Sequence, residues 1–220
     1  MKQLFVEARY REKVRLPKKL TDILPKRVAL FTTIQFIDSI HGIKKDIEDS
    51  GRKVLLFKPK HAKYKGQILG CNIGKFNADG FLFIGDGMFH PMALLIRNNK
   101  PVFILNPGSG KFRKLGIKDA EKIIKHEKGA YLKFLTSKNI GVLVSTKHGQ
   151  NDLKSASGLR KRFRDKKFYI LVSDTINFSD LEDFNFIDCY VNTACPRISI
   201  DDSGMFSKKI INIDKIKKSA

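Results

Sequence analysis

Residues 81–91 read Phe81-Leu82-Phe83-Ile84-Gly85-Asp86-Gly87-Met88-Phe89-His90-Pro91, and this stretch decides the fold. Four consecutive apolar residues without alternation describe a short strand buried on both faces, as in the middle of a parallel sheet. Two glycines around an aspartate end the run, a helix follows from about Pro91 to Asn98, and Val102 to Leu105 repeats the strand pattern. Strand, turn, helix and strand form a βα unit, in which the helix returns the chain so that the next strand runs parallel.

Outward from this stretch the same alternation recurs. On the N-terminal side, Val28 to Phe36 reads as a strand and Ile37 to Ser50 as a helix with Ile37, Ile40, Ile43 and Ile47 on one face; Gly51 stops it and Lys53 to Phe57 is the next strand. On the C-terminal side, Lys118 to Ser137 reads as a long helix, followed by strand Ile140 to Ser145, helix Asn151 to Asp165 and strand Phe168 to Val172. A short capped helix, Ser179 to Phe184, and a strand, Ile187 to Thr193, complete the series. The expected fold class is therefore α/β: two tandem Rossmann-like domains, each a parallel sheet flanked by helices. They span residues 28–117 and 118–220, joined near residues 106–117. Residues 1–27, with a strand at Leu4 to Val6 and a weak helix at Leu16 to Leu24, have too few apolar side chains for a core of their own and read as a remnant of another domain. Lys215, Lys217 and Lys218 read as a solvated basic tail.

Composition narrows the function classes. With 220 residues and 42% hydrophobic content, the chain has ample material for buried cores. The sequence has neither an apolar run of membrane-spanning length nor a signal peptide, so a soluble, cytoplasmic setting is expected, with no membrane partner. Three cysteines with no close pair do not make a disulfide framework and suit a reducing compartment. The formal net charge of +21 favours an anionic partner: nucleic acid, a ribosome or an acidic protein. No dense basic block or RNA-binding aromatic signature accompanies it, which argues against specific nucleic-acid recognition.

The residues that could carry chemistry lie in loops beyond the strand ends, where open parallel sheets place ligands. Cys71, after Gly70, and Cys195, before Pro196 and Arg197, occupy matching positions; a thiolate there suits metal or cluster ligation, and each could equally be a small buried hydrophobe. Cys189 lies six residues before Cys195 inside a strand and reads as core packing. The Gly85-Asp86-Gly87 turn could present N–H groups to an anion while the Asp86 carboxylate accepts from an amine or hydroxyl. His90 reads as a cap or packed ring rather than a base, and the other histidines lack metal-ligand spacing. Gln150, after Gly149, could orient a ligand or cap the following helix.

Taken together the loops resemble the 2-(3-amino-3-carboxypropyl)histidine synthase family, the radical subunit of diphthamide biosynthesis. The likeness rests on Thr32-Thr33-Ile34-Gln35-Phe36, Gly66-Gln67-Ile68-Leu69-Gly70-Cys71, Ile84 to Pro91, and Val191-Asn192-Thr193-Ala194-Cys195-Pro196-Arg197-Ile198-Ser199-Ile200-Asp201, in that order. The resemblance implies three related α/β domains, each giving one cysteine to a 4Fe–4S cluster whose fourth iron site holds S-adenosylmethionine. It also implies reductive cleavage of that cofactor to a 3-amino-3-carboxypropyl radical, which adds to a histidine of elongation factor 2. On this likeness Cys71 and Cys195 are cluster ligands, and Asp86, Gly87, Gln150 and Arg197 line the S-adenosylmethionine pocket. Arg197 would bind the methionyl carboxylate, or else pair with Asp201 or Asp202. Leu4-Phe5-Val6-Glu7 looks like the last strand of the family's first domain, so the chain is expected to lack most of that domain and its cysteine.

Three functions are compatible with this reading. In the first, a separate first-domain polypeptide completes a split transferase; a full-length paralogue is the partner in the second reading, and a dimer is one open arrangement. In the second, the chain is a non-catalytic accessory subunit. In the third, it is a basic RNA- or ribosome-binding module on the same fold.

Overall fold

The computed structural model describes residues 4, 6–70, 73–200 and 206–217. The chain divides into two compact units, residues 1–121 and 122–220, and the division falls inside one long helix.

The first unit is built on a five-stranded sheet. Its strands are β1 (Arg27–Thr32), β2 (Lys53–Leu55), β3 (Gly80–Ile84), β4 (Val102–Leu105) and β5 (Phe112–Leu115), in the spatial order β2-β1-β3-β4-β5. The first four run parallel. Every residue of β3 and β4 is buried, which is why both read as unbroken apolar runs. Helix α1 (Lys18–Ile23) precedes β1, α2 (Ile40–Glu48) links β1 to β2, and α3 (Phe89–Asn98) links β3 to β4. Helix α2 turns Ile40, Ile43 and Ile47 into the core, and Gly51, at φ +82°, releases the chain beyond it.

Several boundaries differ from those expected. Strand β1 stops at Thr32, and residues 34–39 form a 3₁₀ turn rather than continuing the strand. At the strand end the Thr32 hydroxyl donates to the Ile84 carbonyl at 2.7 Å. The expected connector at residues 106–117 contains β5, which pairs antiparallel to β4 across a turn whose Gly110 sits at φ +66°. Only Leu115 of β5 is buried, so the sequence there shows no strand pattern. Leu4 and Val6 lie outside the strands found among the described residues and are exposed; Phe5 lies outside the described residues. Val14, Leu20 and Leu24 are buried in the core of the first unit, alongside Ile47 and Val54.

The second unit contains a four-stranded, wholly parallel sheet of β6 (Asn139–Ser145), β7 (Lys167–Ser173), β8 (Cys189–Asn192) and β9 (Ile210–Asn212), ordered β7-β6-β8-β9. Helix α4 (Ile117–Thr136) leads into it, α5 (Leu153–Arg162) joins β6 to β7, and α6 (Phe178–Glu182) joins β7 to β8. Lys166 donates to the carbonyls of Leu135 and Ser137 at 2.8 and 2.7 Å, closing the C-terminal end of α4. One face of the sheet buries Val142, Val144, Val191 and Ile211 with Phe134; the other buries Leu143, Tyr190, Ile210 and Phe206. Gly141 lies under Tyr190: a Cβ there would stand 2.4 Å from the ring. The expected solvated tail is ordered structure through Lys217: Ile213 and Ile216 of α8 (Ile213–Lys217) are buried, and Lys215 pairs with Glu127 at 2.9 Å. The tail's lysine count concealed two buried isoleucines at helical spacing. Lys218 lies outside the described residues.

Candidate functional site

Each sheet reverses its winding beside its first strand, between β1 and β3 in one unit and between β6 and β8 in the other. At such a switch point the loops leaving the carboxyl ends of two adjacent strands diverge and open a crevice. Asp86 and Gly87 follow β3, Gln150 follows β6, and Cys195 and Arg197 follow β8.

In the first unit, the chain after Thr32 meets residues 66–68, which extend the sheet: the Thr32 N–H donates to Gly66 and the Ile68 N–H to Thr32, each at 2.8 Å. Gln67 is buried and its Oε1 accepts from the N–H groups of Lys63 and Tyr64 at 2.7 and 3.1 Å. Gly66, at φ +79°, leaves no room for a side chain, since a Cβ would lie 2.0 Å from Ile40. Gly70 is pressed against Phe89 so closely that a Cβ on it would lie only 2.1 Å from the ring. The segment leading to Cys71 is therefore seated against the residue that opens α3, directly after the Gly85-Asp86-Gly87 turn. Cys71 and Asn72 themselves lie outside the described residues.

The turn after β3 is exposed at Asp86 and Gly87, with Gly87 at φ +80°. Asp86 Oδ1 accepts from its neighbour's Gly87 N–H at 2.8 Å and from Asn106 Nδ2 at 3.2 Å, which couples the turn to the end of β4. His90 packs its ring on Phe83 at 5.6 Å and edge-on to Phe89 at 5.4 Å, the packed ring that its residue type leads us to expect. Thr33 Oγ1, just beyond β1, is buried and has no hydrogen-bond partner among the described residues. A buried hydroxyl without a partner is costly and is a group suited to a ligand.

In the second unit, β6 ends at Ser145 and the chain turns through Lys147–Gln150, with Gly149 at φ +78° and the Gln150 N–H donating to Lys147 at 3.0 Å. Asp152, not Gln150, caps α5, accepting from the Ser155 N–H at 3.1 Å. That removes capping as the role of Gln150. Cys195 is half-buried on the turn after β8, and Arg197, exposed, begins α7 (Arg197–Ile200). Asp201 and Asp202 lie outside the described residues.

The turn around Cys195 is braced from below by two buried asparagines. Asn192 Oδ1 accepts from the Ala194 N–H at 3.0 Å, and its Nδ2 donates to the Cys195 carbonyl at 2.8 Å. Asn212 Nδ2 donates to the Pro196 carbonyl at 3.1 Å, and the two amides bond each other at 2.7 Å. Cys189 differs in every respect: it is fully buried inside β8, and burial pushes its thiol pKa up. A buried thiol kept protonated is a core residue, as its place in the strand predicts. Among the described residues no three His, Cys, Asp or Glu side chains converge on a metal position. No helix among them is long and apolar enough to cross a membrane.

A family model described as "Putative diphthamide synthesis protein" matches residues 1–216. The chain belongs to this diphthamide synthesis family. Among curated relatives, the 2-(3-amino-3-carboxypropyl)histidine synthase of Pyrococcus horikoshii is 32% identical over 193 residues, covering 86% of this chain and 55% of the relative. The synthase subunit 1 of Eremothecium gossypii is 31% identical, covering 84% of this chain and 45% of the relative. The crystal structure of Dph2 from Pyrococcus horikoshii with a 4Fe-4S cluster superimposes with a TM-score of 0.79 at 29% identity, over 89% of this chain and 57% of that one. The chain thus spans about half the length of the curated relatives it matches. For this family member, the likeness in fold extends through both α/β units.

Sequence reasoning named Cys195 and Arg197 but passed over the asparagines beneath them. The signal was present: Asn192 and Asn212 each close an otherwise apolar strand run, where a buried amide needs a specific partner.

Proposed function

We propose that this chain forms part of a 2-(3-amino-3-carboxypropyl)histidine synthase. That transferase moves the 3-amino-3-carboxypropyl group of S-adenosylmethionine to a histidine of elongation factor 2 in the first step of diphthamide biosynthesis. The observation that carries the reading is Cys195: a half-buried thiol on a hydrogen-bonded turn at the switch point of a parallel sheet, in a chain of the diphthamide synthesis family. Its donor chemistry fits an iron–sulfur cluster, because thiolates at accessible strand ends ligate iron, whereas the buried, protonated Cys189 does not serve. When bound, such a cluster supplies the electron that cleaves the sulfur–carbon bond of S-adenosylmethionine.

The chain's own residues bind and orient. Cys71 and Cys195 hold the cluster, and a further cysteine comes from outside these 220 residues, with a first-domain polypeptide or a full-length paralogue as candidate donor. Among the described residues Asp86 takes two hydrogen bonds, both on Oδ1, and its Oδ2 is the atom that accepts from the cofactor's amino group. Gly87, without a side chain, admits the ligand beside it. Gln150 offers a neutral amide, and the planar fork of Arg197 matches the methionyl carboxylate in two parallel bonds. The net charge of +21 draws the chain toward an acidic face of elongation factor 2.

The test is transfer of label from carboxypropyl-labelled S-adenosylmethionine to elongation factor 2 under reducing, anaerobic conditions. Label is expected when this chain is combined with a first-domain polypeptide or paralogue, and not with either component alone. No transfer with any such donor, in a mixture where a full-length relative labels the same elongation factor, overturns the proposal.

A further inference from the structure

We infer that Asn212, acting with Asn192, is the positioning residue that aims the Cys195 thiolate; this rests on the reading above that Cys195 is a cluster ligand. The two asparagines are register partners at the carboxyl ends of β8 and β9 and are buried, at 1% and 5% exposure. Their four hydrogen bonds form one chain: Ala194 N–H to Asn192 Oδ1, Asn192 Nδ2 to both the Cys195 carbonyl and Asn212 Oδ1, and Asn212 Nδ2 to the Pro196 carbonyl. The amide orientation is set by these partners. Turning Asn192 over would oppose its NH2 to the Ala194 N–H and its oxygen to the Cys195 carbonyl.

The consequence falls on Cys195 itself. Peptide groups are planar, so holding the Cys195 carbonyl fixes the plane that follows the Cys195 Cα, and anchoring the Ala194 N–H and the Pro196 carbonyl limits the swing of the turn on either side of it. The direction of its Cα–Cβ bond follows, and with it the few staggered positions open to sulfur. Thr193 ties the same turn to β6, its hydroxyl and N–H both reaching the Leu143 carbonyl at 2.8 and 3.0 Å. Asn212 lies 17 residues beyond Cys195, on a different strand, so its contribution is not part of the turn's own sequence.

The experiment measures how fast a ferrous-iron chelator bleaches the sulfide-to-iron absorption of the protein reconstituted anaerobically together with a first-domain polypeptide. Asn212→Leu removes both the donor to Pro196 and the acceptor for Asn192, and losing such bonds is expected to accelerate bleaching about tenfold. Asn212→Asp keeps the acceptor but sets a carboxylate oxygen against the Pro196 carbonyl, and accelerates it likewise. If the leucine variant does not fold, the aspartate variant decides. Ile210→Val, a core lesion in the same strand, is expected to lower thermal stability and leave bleaching unchanged. Unchanged bleaching in a folded Asn212 variant, or equal acceleration by Ile210→Val, overturns the inference. Cys195→Ser separates the two levels. If it does not weaken iron retention, the ligand reading fails and the inference with it. If it does, while Asn212 variants behave as wild type, the inference alone fails.

Discussion

Gly70→Ala is the substitution with the most direct structural consequence near the candidate site. An added Cβ would stand 2.1 Å from Phe89 Cε1, with Cδ1 and Cζ at 3.0 and 3.1 Å. Carbon atoms settle about 3.5–4.0 Å apart, so ring and backbone must separate by roughly 1.5 Å. The ring is not at liberty to yield: it opens α3 and packs edge-on against His90, which in turn stacks on the buried Phe83. Overpacking of this kind costs about 1–3 kcal/mol. Urea denaturation followed by circular dichroism measures it, and a cycle with Phe89→Ala isolates the clash. The cost of Gly70→Ala is expected to fall by at least half in the Phe89→Ala background. A cost below about 0.5 kcal/mol, or an equal cost with and without the ring, refutes the close approach.

Three further outcomes follow from the same structure. Lys63 and Arg9 hold the Glu7 carboxyl down at about 2 from 4.5, so its tie to the first unit is intact above pH 4.5 and lost as pH falls toward 2; limited proteolysis near residue 9 is expected to rise over that window, and Glu7→Gln should make it independent of pH. Burial raises the Tyr190 phenol from 10 to about 12, so its contribution is complete below pH 10 and lost as pH rises through 12; Tyr190→Phe, which removes the bond to the Leu181 carbonyl, should cost about 1 kcal/mol at neutral pH and flatten the alkaline limb of thermal stability. Arg197→Lys keeps the charge but loses the fork, and calorimetry is expected to show about tenfold weaker S-adenosylmethionine binding with the iron content unchanged; unchanged affinity with lower thermal stability would make Arg197 a structural residue.

Most of the fold was legible because its central strands are buried on both faces. Phe81 to Ile84 and Val102 to Leu105 can hardly be anything else, and the isoleucines of α2 keep helical spacing. What escaped was structure held by hydrogen bonds and by neighbours distant in sequence. Strand β5 buries one residue of four and exists because β4 offers it an edge. Strand β9 is three residues long and precedes a lysine-rich stretch that resembles a tail. Among the candidate residues, the place of Cys195 on a turn beyond a strand end was legible, as was the packing of His90 and Cys189 from their residue types. Asn192 and Asn212 could each be marked as an amide closing an apolar run, but their pairing was not legible, because they meet only through sheet register.

The most direct test of the account compares iron and sulfide retained by Cys71→Ala, Cys189→Ala and Cys195→Ala after anaerobic reconstitution together with a first-domain polypeptide, with electron paramagnetic resonance of the reduced samples. Loss of the cluster signal in the Cys71 and Cys195 variants, with Cys189→Ala indistinguishable from wild type, is the predicted result. A signal that survives Cys195→Ala, or vanishes with Cys189→Ala in a folded protein, contradicts the assignment of the strand-end thiol as the ligand.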